Sequence, residues 1–152
     1  MAQRLAGMVV SSSEVDLVIL ELDNGNFELI SQSPIKVPVG DKAQGYRVVS
    51  EHLRDQLTEA NIECACIKAS AVSIGGTKLA HLEAAELRGV ALATSAAVCE
   101  VKCISKAATS RNFGTRGVDD YLKDDGFWTG LGLSTLKKGR REAAFAAISQ
   151  FS

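Results

Sequence analysis

The sequence predicts a mixed α/β fold, a five-stranded sheet flanked by helices, in the order β-β-β-α-β-α-β-α. Three observations predict it: an Asn-Gly turn between β-rich runs near the start, two short and nearly uninterrupted apolar runs further on, and helical periodicity between and after those runs. Antiparallel pairing comes first and strand-helix alternation follows, so the sheet is expected to be mixed.

The opening runs "RLAGMVV" and "EVDLVILEL" are β-rich and separated by the polar "SSS". In "ELDNGNFELIS", Asn24-Gly25 sits between an apolar run and "FELI". Both residues tolerate positive φ, which a tight two-residue hairpin turn requires, so three antiparallel strands are expected at the start. Pro34 and Pro38 mark an irregular connection. In "QGYRVVSEHLRDQLTEAN", Val48, Val49, Leu53 and Leu57 form one helical stripe.

The run "IECACIKA" is short and apolar, as a strand covered on both faces should be. The Ala/Leu-rich "GGTKLAHLEAAELRGVALATSAA" is a long helix, with Gly75-Gly76 as the loop before it and Thr77 as its cap. "VCEVKCIS" is the last strand. A Gly-rich, charged connection or short helix follows, then a final helix from about Thr135 or Lys138 to Phe151. The sequence contains no internal repeat.

With 152 residues and 46% hydrophobic positions, the chain can bury one core and is read as a single domain, residues 1–152. Seventeen basic against eighteen acidic residues leave a net charge of −1, so any attraction to nucleic acid must come from a local patch. The apolar run at the start breaks at Ser11 to Glu14, and no stretch reaches the roughly 18 apolar residues of a membrane span. The expected location is the cytoplasm, without a membrane partner. Cys64-x-Cys66 and Cys99-x3-Cys103 lack zinc-knuckle spacing and lie in strand-like runs, which favours reduced, mostly buried thiols in a reducing compartment.

The element order is that of the ribonuclease H-like fold, and several segments resemble the RuvC-type Holliday junction resolvases. "LRGVALATSAA", Leu87 to Ala97, resembles that family's second conserved helix, and "SKAATSRNFG", Ser105 to Gly114, resembles the stretch after its last strand. Nucleases of this kind hold two magnesium or manganese ions with carboxylates from the first strand, the end of the fourth strand and the last helix. Hard divalent ions want oxygen ligands, and two of them stabilise both the attacking and the leaving oxygen of phosphodiester cleavage.

Matched to that pattern, "LAGMVVSSS" places Val9 or Val10 where the first aspartate should be, with Ser11, Ser12, Ser13 and Glu14 nearby. In "CIKAS", Lys68 stands at the strand-end glutamate. In "KKGRREAAFAA", Arg141 or Glu142 stands at the last helix's acid, so Glu142 alone remains as a ligand. An ammonium at a cation's place repels the cation, and is suited instead to a phosphate or a neighbouring acid. The resemblance therefore implies a domain with no metal and no nuclease activity. The alternative is an active magnesium- or manganese-dependent nuclease with relocated carboxylates drawn from Glu14, Asp16, Glu83, Glu86 and Glu142. Glu83 and Glu86 share a helix face, for which an exposed acidic surface is the plainer reading, as a surface position is for His52.

Nucleic-acid contact would fall to local cations: Lys102, Lys106, Arg111 and Arg116 near the last strand, and Lys137, Lys138, Arg140 and Arg141 at the final helix. Phe127 and Trp128 lie between the two groups and Phe113 within the first, where they are placed to stack on bases or to pack internally. Asp119, Asp120, Asp124 and Asp125 interrupt the basic patch. "GGTK" lacks phosphate-loop spacing and no Gly-x-Ser-x-Gly elbow occurs. The expected role is nucleic-acid-associated or regulatory. A third reading is an interaction or scaffold module, since the Ala-rich helices suit a homodimer or a protein partner.

Overall fold

The computed structural model describes residues 2–70 and 78–151, and within them the side chains of all but residues 110–112. Gly75, Gly76 and Thr77, read above as a loop and a helix cap, lie outside the described residues. The chain runs β1 (Gln3–Val10), β2 (Glu14–Asp23), β3 (Asn26–Lys36), α1 (Lys42–Glu59), β4 (Cys64–Lys68), α2 (Leu79–Ala96) and β5 (Glu100–Ile104). Then come α3 (Lys106–Phe113), α4 (Val118–Lys123), α5 (Asp125–Gly130), a 3₁₀ turn at Lys138–Arg140, and α6 (Arg141–Phe151). The strand order is β3-β2-β1-β4-β5. β1, β2 and β3 pair antiparallel, whereas β4 pairs parallel with both β1 and β5.

The mixed sheet is the one the sequence predicts. Asn24 and Gly25 turn the β2–β3 hairpin at φ 53° and 79°, the left-handed region that suits them. Two details differ. Pro34 belongs to β3, opposite Asp16, instead of to a connection. The position is tolerated because β3 is an edge strand and can do without one N–H. Val48 points outward on α1 at 47% exposure, while Val49, Leu53 and Leu57 are buried as the stripe requires.

Strand alternation divides the core in two. Ala6, Met8 and Val10 of β1, with Ala65 and Ile67 of β4, pack under α1 and α2. Leu5, with Cys64 and Cys66, faces the other way, toward Phe145, Ile148 and the residues around them in α6. β4 is covered on both faces, as its unbroken apolar run predicts. All four cysteines are free; Cys64 and Cys66 are buried, but Cys103 on the edge strand β5 is exposed, against the expectation of burial.

The segment between β5 and α6 forms three short helices where the sequence predicts a connection or one short helix. An aromatic cluster gathers it: Phe113, Tyr121, Phe127 and Phe145 have ring centroids 4.9–6.2 Å apart, with Trp128 at the edge. Trp128 is fully buried and its Nε1 donates to the Tyr121 carbonyl at 2.9 Å. Its expected availability for stacking on bases is therefore corrected: the indole is internal. Among the described residues no helix is long and apolar enough to cross a membrane.

α6 crosses β1 at Gly7, where a β-carbon would run into the Ala143 carbonyl oxygen. Gly7→Ala is therefore expected to destabilise the fold by about 2 kcal/mol or more, read from denaturant unfolding. An unchanged midpoint would mean that α6 can lift off without cost.

Asp124 caps α5 by accepting from the Phe127 N–H at 3.1 Å. That bond, and the Arg116 guanidinium beside it, hold its carboxyl below the usual range. The resulting stability is full above the ordinary value of about 3.9 and is lost as pH falls through the lowered folded value. Asp124→Ala should thus lower the Tm at pH 7, with the gap closing below about pH 3.9. A gap that persists in acid would assign the loss to packing instead of charge.

Candidate functional site

The C-terminal ends of β1 and β4 and the start of α6 meet at one end of the sheet. Register fixes the row beneath α6. Val9 pairs with Asp16, and Met8 pairs with Ile67, so Lys68 follows on the far side of Val9. By alternation Asp16, Val9 and Lys68 share the face that α6 covers, at a strand spacing of about 4.8 Å per step. The 3₁₀ turn and the first turn of α6 bring Arg140 and Glu142 down onto this row.

Two ion pairs result. Lys68 Nζ donates to Glu142 Oε2 at 2.9 Å, with both side chains 31% exposed. Arg140 Nε donates to Asp16 Oδ1 at 2.7 Å, and these side chains are only 16% and 20% exposed. Lys68 and Glu142 border a shallow pocket together with Lys106, Thr109 and Phe145. The three positions that the resemblance maps to metal-binding acids do converge, but they carry an isopropyl group, an ammonium and one carboxylate.

This donor set does not fit a pair of divalent ions. Val9 offers no oxygen from its side chain, Lys68 places a fixed positive charge at the centre, and Glu142 is already neutralised by it. Asp16 stands opposite Val9 on β2, a neighbour visible only once the register is known, and Arg140 holds it. Of the other relocated candidates, Glu83 and Glu86 both turn to Lys42 of α1, at 4.0 and 3.2 Å. Glu14 opens β2 two residues before Asp16. Among the described residues no three His, Cys, Asp or Glu side chains gather as metal ligands would. His52 meets Gln56 at 2.8 Å on the exposed side of α1, the surface position expected of it.

The basic residues are largely engaged by the aspartates that interrupt them in sequence. Lys106 binds Asp119 at 3.0 Å, and this contact holds the Asp119 carboxyl below its usual range. Arg116 binds Asp124 at 3.0 Å and lies over the Tyr121 ring. Arg141 is buried, donating to the Leu122 carbonyl at 3.0 Å and to Asp125 at 2.8 Å. Its guanidinium is structural, which removes it from the expected phosphate-contacting group. Lys138 also reaches Asp125, at 3.7 Å, while Lys137 is exposed and Lys102 lies over the Phe151 ring. The Arg111 side chain lies outside the described residues. Arg88, which the sequence reading did not single out, reaches from α2 to the Val10 carbonyl at 3.3 Å.

No family model matches the sequence, and no curated protein does. Among solved structures, RuvC of Thermus thermophilus is similar over 97% of this chain and 91% of its own, at TM-score 0.76 and 13% identity. A structure of T. thermophilus RuvC in complex with Holliday junction substrate is similar over 97% of this chain and 92% of its own, at TM-score 0.74 and 11% identity. The chain thus has the RuvC-type ribonuclease H-like fold.

Proposed function

We propose that this chain is a single-domain, cytoplasmic, RuvC-fold protein that engages nucleic acid without cutting it. The observation that carries the proposal is the Lys68–Glu142 ion pair at the junction of β4 and α6. Metal-assisted cleavage needs two cations to activate a water and to neutralise the leaving oxygen. Here a protein cation occupies the centre of the row and a second one, Arg140, holds the remaining acid. An ammonium cannot lower the pKa of a bound water as a coordinated metal does, so the site retains the means to hold a phosphate and lacks the means to hydrolyse it.

Lys68, Lys106, Lys137 and Lys138 are the groups assigned to backbone phosphates. Lys68 and Lys106 border one pocket, and the two lysines before α6 are exposed. The Holliday junction complex of the similar T. thermophilus protein makes a four-way junction the first substrate to try. A second reading, a homodimeric scaffold, has one observation in its favour: Leu79 and Leu82 on α2 are 71% and 54% exposed, and Val48 lies on the adjoining helix α1.

Fluorescence anisotropy with labelled four-way, duplex and single-stranded DNA is expected to give binding that falls steeply with salt, and about tenfold on removing both Lys68 and Lys106. Incubation with magnesium or manganese should leave the DNA whole. Metal-dependent cutting abolished by Glu142→Ala or Asp16→Ala would establish an active nuclease instead. No binding together with concentration-dependent dimerisation would favour the scaffold.

The same reading predicts a gain of function. Val9→Asp with Lys68→Glu supplies two new carboxylates beside Glu142, and calorimetric titration should then show manganese binding that the parent lacks. Two ions bound by the parent itself would contradict the assignment.

A further inference from the structure

The other side of this sheet end carries a different chemistry. A cleft of about 780 Å³ lies between α2 and the ends of β1 and β4, bordered by Val10, Ser12, Lys68, Ser70, His81 and Arg88 among others. None of the described residues bordering it is acidic. Arg88 is its principal charge. One guanidinium nitrogen donates to the Val10 carbonyl, the other to the Ser70 hydroxyl, and the buried Nε finds no acceptor among the described residues. Of five N–H donors these contacts use two, so among the described residues three have no acceptor and the charge makes no ion pair.

An arginine in this condition is prepared for an acceptor. Its plane is braced by the two contacts, so little rotamer freedom remains to be lost on binding, and its fork matches a tetrahedral oxyanion. Ser70 accepts from Arg88 and keeps its own hydroxyl proton to donate, and Ser12 offers a second hydroxyl. A carboxylate ligand would satisfy the charge, but the serine donors around it suit the additional oxygens of a phosphate.

We infer that this cleft is a phosphate-binding site, with Arg88 as the main ligand and Ser12 and Ser70 as hydroxyl donors. The site is built on the α2 side of the sheet end, shares Lys68 with the Lys68–Glu142 pair, and does not depend on nucleic-acid binding at that pair. Its phosphate is either that of a soluble phosphomonoester or that of a nucleic-acid strand.

Isothermal titration of the full chain with inorganic phosphate, at constant ionic strength, is the test. Saturable binding is expected, weakened at least tenfold by Arg88→Gln. Ser70→Asp, at an exposed position, should weaken it as much by supplying Arg88 with a carboxylate, and carries the test if Arg88→Gln melts below the parent. Parallel titrations with a nucleoside monophosphate and a short single-stranded oligonucleotide identify the source: tighter monophosphate binding assigns a soluble ligand, tighter oligonucleotide binding a strand. Absence of saturable phosphate binding, or binding unaltered in both variants, would overturn the inference even if DNA still binds. Phosphate binding lost on Arg88→Gln with no DNA affinity would uphold it and remove the nucleic-acid reading instead.

Discussion

The close approach of α6 to β1 at Gly7 is the constraint on which this end of the molecule depends. Only a residue without a β-carbon lets the Ala143 carbonyl lie against the strand. With α6 seated there, Arg140 and Glu142 fall onto the row formed by Asp16, Val9 and Lys68, and Phe145 drops into the aromatic cluster that gathers α3, α4 and α5. The helix is thus both the lid of one core and the carrier of half the charges at the site. A larger residue at Gly7 would disturb packing and electrostatics together, because both are set by the same separation.

The two faces of the sheet end differ in how their charges are resolved. Beneath α6 each cation has an acid, so the row is neutral as a whole despite containing four ionised groups. Beside α2 the cleft holds Arg88 and borders Lys68, but no described acidic side chain. A partly buried guanidinium with no acid beside it among the described residues costs solvation that a neutral row does not, and a bound oxyanion would remove that cost. Lys68 belongs to both surfaces, since it borders the α6-side pocket and the cleft alike.

Much of this was legible in the sequence because it follows from local chemistry. Asn24-Gly25 specifies its hairpin, the unbroken "CACIK" specifies a doubly covered strand, and Lys68 announces itself as a charge at the end of that strand. What escaped depends on pairing between distant segments. Asp16 becomes the neighbour of Val9 only through the β1–β2 register, and Arg140 reaches it from 124 residues away. Trp128 between basic clusters reads equally well as a stacking platform or as core, and its burial comes with the Tyr121 carbonyl of α4 and the Phe145 ring of α6 that meet it. Arg88 went unnoticed because its helix is otherwise rich in small and apolar residues. Arg88 lies within "LRGVALATSAA", where the resemblance concerns the helix and assigns the arginine no role, and its meaning arises from the Val10 carbonyl and Ser70 hydroxyl it meets.

Exposure then separates the two ion pairs in the row by what each can do. Arg140 and Asp16 are mostly buried, so removing either partner strands a charge with little access to water, and the pair behaves as part of the framework. Lys68 and Glu142 are about a third exposed, in the range where a pair contributes on the order of 1 kcal/mol or less and exchanges readily with water and salt. A phosphate arriving at this pocket needs to overcome only that small term to draw the ammonium away from Glu142, and Lys106 stands at the same rim to share the charge. Divalent ions face the opposite balance, because Lys68 repels them while among the described residues no cluster of carboxylates repays their dehydration. On the proposed reading the same lysine that disfavours a metal is released to an oxyanion at small cost, so a lysine at the acid's place would convert the chemistry of the site and not merely abolish it.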